Sequence, residues 1–313
     1  MKHLITLKNW SKEEIVEIIN KAIEIKKNPE AYSTILKNKT MIMLFQKTST
    51  RTRLSFEAGM TQFGGHSIFL DARTTQLSIG CDFKDEIKAI MRFCDILMFR
   101  AKKAEDVQTA AMQNTVPVID ACSEKYHPCQ AFGDLLTMAE HSGGIENIKK
   151  VTWLGIENNV SNTLMLICTK LGIKVAIVAP GINQPSVDQE LNQMAEATGL
   201  VTRTLDLKEA LEGTDYVHTD TWMDMEFFED GKVLEEFKTQ YEERINKFKP
   251  YQLNANLINT YCPDAKIMHC MPCHIGFEIT RDAVDHPNSV IFDQAENRLH
   301  GQNAIILKLL GKL

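Results

Sequence analysis

The stretch that decides the fold runs from Thr40 to Leu70 and reads TMIMLFQKTSTRTRLSFEAGMTQFGGHSIFL. It begins with an apolar run, passes through a cluster of hydroxyl and arginine side chains, and ends with a second apolar run after two glycines. Short continuous apolar runs are typical of parallel strands that are buried on both faces. The residues between them, 54–63, predict a helix that ends at Gly64 and Gly65. The stretch therefore predicts a strand, a helix and a second strand, which together form a βαβ unit.

The rest of the chain repeats this plan. Apolar runs that predict further strands cover residues 94–100, 115–121, 150–156, 174–179, 215–220, 266–272 and 289–293. Helical patterns cover residues 11–23, where Ser11 and Glu14 form a capping box, and residues 160–171, 186–198 and 295–310. Strands that alternate with helices indicate parallel sheets covered on both faces. Two such sets predict an α/β protein with two doubly wound parallel-sheet domains, residues 1–135 and 136–294.

Composition narrows the class of protein. The 313 residues carry a formal net charge of −6, and the apolar and charged fractions of 44% and 24% are ordinary for a soluble globular enzyme. Nucleic acid is not expected as a partner, because binding to its phosphate backbone needs a positive face. No stretch approaches the ~20 apolar residues that span a bilayer, and no signal peptide is recognisable at the N-terminus. With five cysteines from Cys81 to Cys168 showing no paired spacing, we expect a cytoplasmic protein with reduced thiols and no membrane partner.

The first predicted strand is followed by Ser49, Thr50, Arg51 and Thr52. In open α/β sheets, ligands bind beyond the carboxyl ends of the strands. A helix that starts there presents free N–H groups and the positive end of its dipole, and a guanidinium adds a bidentate grip for a phosphate. The alternative is a helix cap followed by solvated arginines. This stretch taken alone leaves both interpretations open.

Three other predicted strand ends also carry cationic or amide donors. Arg100 ends the strand of residues 94–100, His127 and Gln130 follow the strand of residues 115–121, and Arg298 follows the run at residues 289–293. Four strand ends that each deliver such a donor favour a site for a small, oxygen-rich anion.

These motifs together resemble the aspartate/ornithine carbamoyltransferase family. The shared patterns are S-T-R-T-R at residues 49–53, a strand-end arginine, H-P-x-Q at 127–130, H-C-x-P at 269–272 and A-E-N-R at 295–298. The resemblance covers essentially the whole chain in the family's order. It is closer to the ornithine branch, because the aspartate branch would show His-Pro-Leu-Pro where this chain has His-Cys-Met-Pro.

The resemblance implies a role for each predicted domain. Residues 1–135 would bind carbamoyl phosphate, with the last helix, residues 295–313, crossing back to them, and residues 136–294 would bind the amine acceptor. The phosphate would be held by Ser49, Thr50, Arg51 and Thr52. The carbamoyl group would be polarised by Arg100, His127 and Gln130, with Arg298 closing the pocket.

The resemblance also implies the acceptor site and the assembly. The residues expected to contact the amine are Asn159, Asp220, Asp224, Met225, Cys270 and Met271. Cys270 is grouped with the catalytic residues Arg100, His127 and Arg298, but it would orient the amine rather than act as a nucleophile. The reaction would need no metal and no cofactor. The family forms trimers, so we expect a homotrimer or a multiple of trimers in which Gln76 of one subunit completes a neighbour's site.

Two positions depart from the ornithine branch. Asp224-Met225-Glu226 stands where that branch has Ser-Met-Gly, and Ile275 stands where it has arginine. Both changes make the acceptor side less favourable for an anionic group, because a carboxylate at Asp224 would repel it and the loss of arginine at Ile275 removes a cation that would attract it. Ornithine is the predicted acceptor. Putrescine, another diamine or an ornithine derivative is the alternative, as is a paralogue that binds ligand without catalysis.

Two further interpretations come from other classes. The sequence HCMPCH, residues 269–274, could supply His269, Cys270, Cys273 and His274 to zinc, although zinc usually draws on two separated ligand pairs. The sequence WLGIENN, residues 153–159, follows a predicted strand as a dinucleotide-binding turn does, but it lacks the three glycines of that motif. The family resemblance explains both stretches better.

Overall fold

The structure is a computed structural model that describes residues 1–223, 227–229 and 232–313, with the backbone alone described at residues 228 and 229. Its architecture is α/β, with two separate parallel sheets covered by helices, as predicted.

The first sheet has the strand order β2-β1-β3-β4, and all its pairings are parallel. Its strands are β1 (Thr40–Phe45), β2 (His66–Asp71), β3 (Ile96–Arg100) and β4 (Val118–Asp120). β1 lies in the middle and is buried along nearly its whole length, while β2 forms a more exposed edge. The βαβ unit predicted from residues 40–70 is confirmed.

The second sheet has the order β11-β8-β5-β6-β7 and is also parallel throughout. In chain order, the strands after β4 are β5 (Lys150–Glu157), β6 (Lys174–Ile182), β7 (Val201–Arg203), β8 (Tyr216–Thr219), β9 (Phe228–Glu229), β10 (Lys232–Val233) and β11 (Lys266–His269). β9 and β10 form a small antiparallel ribbon apart from the two sheets.

The helices cover both faces of these sheets. In chain order they are α1 (Lys12–Lys27), α2 (Thr50–Gln62), α3 (Phe83–Ile90), α4 (Ala104–Met112), α5 (Pro128–Ser142), α6 (Asn159–Lys170), α7 (Gln189–Glu196), α8 (Leu207–Leu211), α9 (Lys238–Phe248), α10 (Ala255–Tyr261), α11 (Arg281–Val284) and α12 (Ile291–Leu309). None of the helices described is both long and apolar enough to cross a membrane. α5 runs through the predicted division between residues 135 and 136, and that division stays a prediction.

The first helix forms as the sequence predicts. The Ser11 hydroxyl accepts a hydrogen bond from the Glu14 main-chain N–H, and the Glu14 carboxylate accepts one from the Ser11 N–H, which completes the capping box. The stripe at Ile15, Ile18 and Ile19 is fully buried. Capping and the apolar stripe therefore agree on where this helix begins and which face it buries.

The strand predicted at residues 289–293 is wrong. Ser289 forms only an isolated bridge with Ile267, and α12 begins at Ile291 instead of residue 295. A run of five residues that is only partly apolar cannot be assigned to a strand or to the first turn of a helix from its pattern alone. The helical spacing is visible only further along, where Gln294, Asn297 and Arg298 are buried on one face. The helix predicted over residues 186–198 is shorter than predicted, because it begins at Gln189 and ends at Glu196.

The last helix returns to the first sheet, where it packs against α1, α2 and α5. Glycines allow this close approach. A Cβ atom at Gly133 on α5 would lie 3.1 Å from Arg298 Cδ and 3.3 Å from Arg298 N, and one at Gly59 on α2 would overlap the Asn303 side chain. The absence of side chains at these two positions lets α12 carry Arg298 into the space between α2 and α5.

Candidate active site

The carboxyl ends of both sheets face one cavity of about 430 Å³. The predicted site residues that line it are Ser49, Thr50, Arg51, Thr52, Arg100, His127, Gln130, Asn159, Asp220, Cys270, Met271 and Arg298. They come from segments that lie up to 249 residues apart in the sequence, counted from Ser49 to Arg298. A shared cavity at the strand ends is the position that parallel sheets favour for ligands.

The first-sheet end of the cavity is built on the start of α2. Ser49 is the N-cap, and its hydroxyl accepts a hydrogen bond from the Thr52 main-chain N–H at 3.4 Å. The residues of this turn also line the cavity. The predicted cap is therefore present, and the helix that it starts directs the positive end of its dipole toward the cavity.

The two arginines of this turn have different surroundings. Arg51 lines the cavity, and burial lowers the pKa of its guanidinium from the usual high value. Arg53 lies outside it, where its Nε contacts Glu57 Oε1 at 2.9 Å and its guanidinium covers the Phe69 ring at 3.9 Å. Arg51 is therefore the cation that this turn offers to a ligand.

Two more arginines converge on the Thr52 hydroxyl. Arg100 Nη1, from the end of β3, lies 3.4 Å from Thr52 Oγ1, and Arg298 Nη2, from α12, lies 3.2 Å from it. Arg298 is 3% exposed, and its Nη1 donates to Gln130 Oε1 at 2.8 Å. Together with Arg51, which lines the same cavity, these two guanidiniums make this end of the cavity strongly attractive to an anion.

His127 stands immediately before α5. Its main-chain N–H donates to Thr163 Oγ1 at 2.9 Å, while its buried Nδ1 has no hydrogen-bond partner within the described part of the chain. Burial, helped by the charges of Arg298, Arg100 and Arg51, holds the pKa of His127 well below its ordinary value. The imidazole is therefore neutral near pH 7 and can donate one hydrogen bond to a carbonyl oxygen.

The second-sheet end of the cavity centres on a carboxylate. Asp220, just after β8, accepts from Asn158 Nδ2 at 2.7 Å and from the Cys270 thiol at 2.9 Å. Asn158 is also the N-cap of α6. The sequence analysis named the neighbouring Asn159 and missed Asn158. Asn158 lies between β5 and α6, a recognisable cap position.

Cys270 is a thiol in this environment. Burial raises its pKa well above the ordinary value, and the neighbouring Asp220 carboxylate adds to that rise. A thiol attacks poorly, because the thiolate is the nucleophilic form. This protonation state disfavours a nucleophilic role, and the orienting role of Cys270 stays a prediction.

The loop that carries Cys270 is held by a buried carboxylate that the sequence did not reveal. Glu278 Oε1 lies 3.0 Å from His269 Nε2 and accepts from the His274 main-chain N–H at 2.6 Å. The Met271 N–H donates to His269 Nδ1 at 2.8 Å, so Nε2 carries the ring proton and donates to Glu278. Glu278 is fully buried and therefore fixes the loop from behind.

The same contacts bear on the zinc interpretation. Within the described residues, only His269 and Cys270 of the proposed ligands belong to a cluster with metal-ligand geometry, together with Asp220. Both ring nitrogens of His269 already have partners, and the Cys270 thiol donates to Asp220. His269 and Cys270 are therefore both engaged in contacts within the protein.

Three predicted site residues are not among the described residues that line the cavity. Gln76 is exposed in a short 3₁₀ turn, Gln76–Ile79, and is not among the described residues that line the cavity. Asp224 and Met225 lie outside the described residues. Ile275, the second departure noted in the sequence, is 39% exposed and is likewise absent from the described lining.

Family models match nearly the whole chain. The carbamoyl-P binding domain of aspartate/ornithine carbamoyltransferase matches residues 2–140, and the Asp/Orn binding domain of the same family matches residues 147–309.

Individual proteins are similar over the same length. The ornithine carbamoyltransferase of Archaeoglobus fulgidus is 38% identical, with the alignment covering 100% of this chain and 98% of that protein. The ornithine carbamoyltransferase of Bacillus subtilis is also 38% identical, over 99% of this chain and 94% of the relative. The solved structure of ornithine carbamoyltransferase from Pyrococcus furiosus superposes with a TM-score of 0.89 at 36% identity, covering 100% of this chain and 98% of that one.

Proposed function

The chain belongs to the aspartate/ornithine carbamoyltransferase family, and from that premise we propose that it transfers the carbamoyl group of carbamoyl phosphate to the side-chain amine of ornithine, giving citrulline and phosphate. One observation carries the proposal. A single cavity holds a cluster of three arginines with a neutral histidine at one end and a carboxylate with a thiol at the other. The first end suits a phosphorylated donor and the second suits an amine.

We assign the donor to the first end. The turn from Ser49 to Thr52 holds the phosphate through main-chain N–H groups, hydroxyls and the Arg51 guanidinium, each charge-assisted bond contributing about 1.5–3 kcal/mol. Arg298 and Gln130 hold the carbamoyl end. In this assignment residues 1–135, together with α12, form the donor domain, and residues 136–294 form the acceptor domain.

The chemical step joins nitrogen to carbon. The lone pair of the neutral amine attacks the carbonyl carbon, and a C–N bond forms as the carbonyl oxygen becomes an oxyanion. The C–O bond to phosphate then breaks, and the amine proton leaves with the phosphate. Arg100, the His127 ring N–H and the Thr52 hydroxyl stabilise the oxyanion, which is usually a large term in such reactions. Holding both reactants together supplies on the order of 7–11 kcal/mol.

The acceptor end orients the amine. Asp220 and the Asn159 side chain face the cavity, and Asp220 can accept a hydrogen bond from an amino group of ornithine. Cys270 keeps the Asp220 carboxylate in place through its thiol. Asp224, Met225 and Met271 are assigned to this end from the family pattern.

Ornithine as acceptor is supported by the relatives, which are named ornithine carbamoyltransferase at 36–38% identity across the chain. The arginine missing at Ile275 weighs little against it, because Ile275 is not part of the described lining. Steady-state assays with carbamoyl phosphate and ornithine, putrescine, lysine or acylated ornithine test the choice. We expect ornithine to give the highest kcat/KM. Preference for a diamine, or binding without turnover of any amine, would overturn the proposal.

We also propose a trimer in which Gln76 reaches a neighbour's cavity. Its exposed position outside the cavity described for its own chain supports this arrangement. Mixing Gln76→Ala with Arg51→Ala tests it after brief subunit exchange, with turnover measured at a carbamoyl phosphate concentration where each variant alone has low activity. Mixed trimers would regain activity, because some sites would combine a wild-type Arg51 with a wild-type Gln76. Monomers in sedimentation, or no recovery on mixing, would contradict it.

A further inference from the structure

A group of buried polar side chains lies behind the cavity and has no part in the chemistry assigned above. Asp134 on α5, His218 on β8 and Gln294 on α12 are all fully buried. None of the three is among the described residues that line the cavity. They lie where α5 and α12 meet the second sheet, between the donor end and the loop that carries Cys270.

Direct hydrogen bonds run through this group from one end of the cavity to the other. Arg298 Nη1 donates to Gln130 Oε1 at 2.8 Å, and Gln130 Nε2 donates to Asp134 Oδ1 at 2.7 Å. Gln294 Nε2 donates to the same carboxylate oxygen at 2.7 Å. The His269 main-chain N–H donates to Gln294 Oε1 at 2.8 Å. The chain of bonds thus begins at a donor-site cation and ends one residue before Cys270.

The bonding pattern leaves little freedom in this group. A carboxylate only accepts, so both glutamines must turn their nitrogens toward Asp134 and their oxygens away from it. This orientation places Gln130 Oε1 at Arg298 and Gln294 Oε1 at His269. His218 completes the group, with its Nε2 lying 2.9 Å from Gln294 Nε2 and 3.3 Å from Asp134 Oδ2.

The position of Asp134 is costly for stability. Burying a carboxylate is unfavourable unless a cation is paired with it directly. The Arg298 guanidinium belongs to this series of hydrogen bonds, but Gln130 lies between it and Asp134. The contacts that Asp134 Oδ1 makes are with the amides of the two glutamines, and it orients both of them.

We propose that Asp134 and Gln294 are positioning residues that couple the donor and acceptor ends of the cavity. The proposal rests on the proposed function, which assigns the two ends to their substrates. Hydrogen bonds tolerate only a few tenths of an ångström of stretch. A donor that draws Arg298 toward itself therefore displaces Gln130, Asp134 and Gln294 in turn. The displacement reaches the His269 main chain and orients Cys270 and Asp220 for the amine.

The test measures binding without turnover. Phosphonoacetamide replaces the bridging oxygen of carbamoyl phosphate with a methylene group, so it cannot transfer its carbamoyl group. Calorimetry gives the Kd of ornithine in the absence and presence of saturating phosphonoacetamide, and the ratio of the two is the coupling factor. For the wild-type protein we expect phosphonoacetamide to tighten ornithine binding by about 5- to 150-fold, the usual range for coupled sites.

Three variants test whether the coupling between the two ends of the cavity passes through Gln294 and Asp134. Gln294→Met keeps the side-chain volume but removes the hydrogen bonds to Asp134, His218 and the His269 main chain, and its coupling factor should fall close to one. Asp134→Asn should keep most of the coupling, because its Oδ1 can still accept from both glutamines. The matched control is Thr137→Val, which removes a buried hydroxyl between α5 and α12 that bonds Gly133 O at 2.8 Å and Asn297 Nδ2 at 3.0 Å. It should bind both ligands as the wild type does.

Several results would overturn the proposal. These are a wild-type coupling factor of one, wild-type coupling in Gln294→Met, or an equal loss of coupling in Thr137→Val. If Gln294→Met does not fold, Gln294→Asn replaces it, because its shorter side chain cannot reach Asp134 and His269 together. Turnover assays of the wild type separate this question from the proposed function. Turnover of ornithine without coupling would refute only the present inference, while failure to turn over ornithine would refute the function itself.

Discussion

The two ends of the cavity are built from different parts of the fold. At the donor end, the cations and the neutral histidine come from helices and strand ends, namely the start of α2, the end of β3, the start of α5 and the body of α12. At the acceptor end, Asp220 and Cys270 lie in loops after β8 and β11, and each is held by the other. Regular elements fix charges in place, which suits a small dianion of constant shape. Loops that hold each other can change with the amine they select.

The largest effect on this difference between the two ends is expected at Arg51. Arg51→Ala should weaken carbamoyl phosphate binding by roughly 10²-fold, because about 3 kcal/mol of charge-assisted bonding is lost. The KM for carbamoyl phosphate should rise while the Kd for ornithine alone stays near the wild-type value. Steady-state kinetics and calorimetry measure the two effects.

Arg53→Ala is the matched control for Arg51. It also removes a guanidinium from the first turn of α2, but one that contacts Glu57 outside the cavity. Its KM for carbamoyl phosphate should stay within about twofold of wild type, since exposed ion pairs contribute little. Equal losses at both positions would show that the effect is one of helix stability.

A second test concerns a carboxylate beneath the donor end. Asp120 is fully buried at the end of β4, where it accepts from the Cys122 N–H at 2.9 Å and the Ser123 hydroxyl at 2.6 Å. Burial raises its pKa to about 7. Because the folded state holds this proton more tightly than the unfolded state, its contribution is complete below about pH 4 and is lost as pH rises through about 7.

Asp120→Asn should therefore flatten the pH dependence of stability. At about 1.4 kcal/mol per pKa unit, the wild type should lose up to about 4 kcal/mol between pH 4 and pH 8, and the variant should lose clearly less. Urea denaturation at pH 5, 6, 7 and 8 measures the free energy of unfolding. Parallel curves for the two proteins would argue that Asp120 is ionised in the folded state throughout this range.

The helix contact that delivers Arg298 gives a smaller effect. Gly133→Ala would place a methyl group 3.1 Å from Arg298 Cδ and 3.3 Å from its main-chain nitrogen. Overpacking of this kind costs about 1–3 kcal/mol. The midpoint of thermal unfolding should fall, and the KM for carbamoyl phosphate should rise severalfold with little change in the KM for ornithine.

Gly301→Ala is the comparison for Gly133→Ala. Its added Cβ would come no nearer than 3.5 Å to Gly133 N, an ordinary contact distance. Alanine also favours a helix over glycine by about 0.8–1 kcal/mol. Stability should therefore be unchanged or slightly higher. A loss equal to that of Gly133→Ala would contradict the close approach described at Arg298.

The smallest effect belongs to the acceptor end. Cys270→Ser keeps a hydrogen-bond donor for Asp220 and should retain most activity, while Cys270→Ala should raise the KM for ornithine about fivefold for the loss of about 1 kcal/mol. Cys273→Ser, in the same loop, is the control. Complete loss of turnover in Cys270→Ser would identify a nucleophile and overturn the orienting role.

The sequence could identify the residues that line the first-sheet end of the cavity because their positions are locally recognisable. Arg51 and Arg100 stand directly at strand ends, and hydrophobic runs locate strand ends in an α/β chain. The βαβ order followed from the same runs. Arg298 was placed after a strand that does not exist, yet its role could still be proposed, because the residue type and the family pattern did not depend on that strand.

The buried residues around the site could not be predicted in this way. Asn158 meets Asp220 across 62 residues of sequence, and Gln294 meets Asp134 across 160. No spacing rule connects such positions, because the fold alone brings them together. From the sequence alone, Glu278 would be expected at the surface, but it is fully buried. The predicted contacts of Asp224 and Met225 fall outside the described residues and stay predictions.

The position of α12 has a consequence for how the protein is made. This helix supplies Arg298 and Gln294, and its apolar residues from Ala304 to Leu309 belong to the same core as Ile15, Phe56 and Phe132. While α12 is still inside the ribosomal exit tunnel, the emerged chain lacks both a donor-site cation and the cover of that core. The emerged chain is then inactive, and the apolar side chains of that core are uncovered. Docking of α12 buries them and completes the active site in a single event.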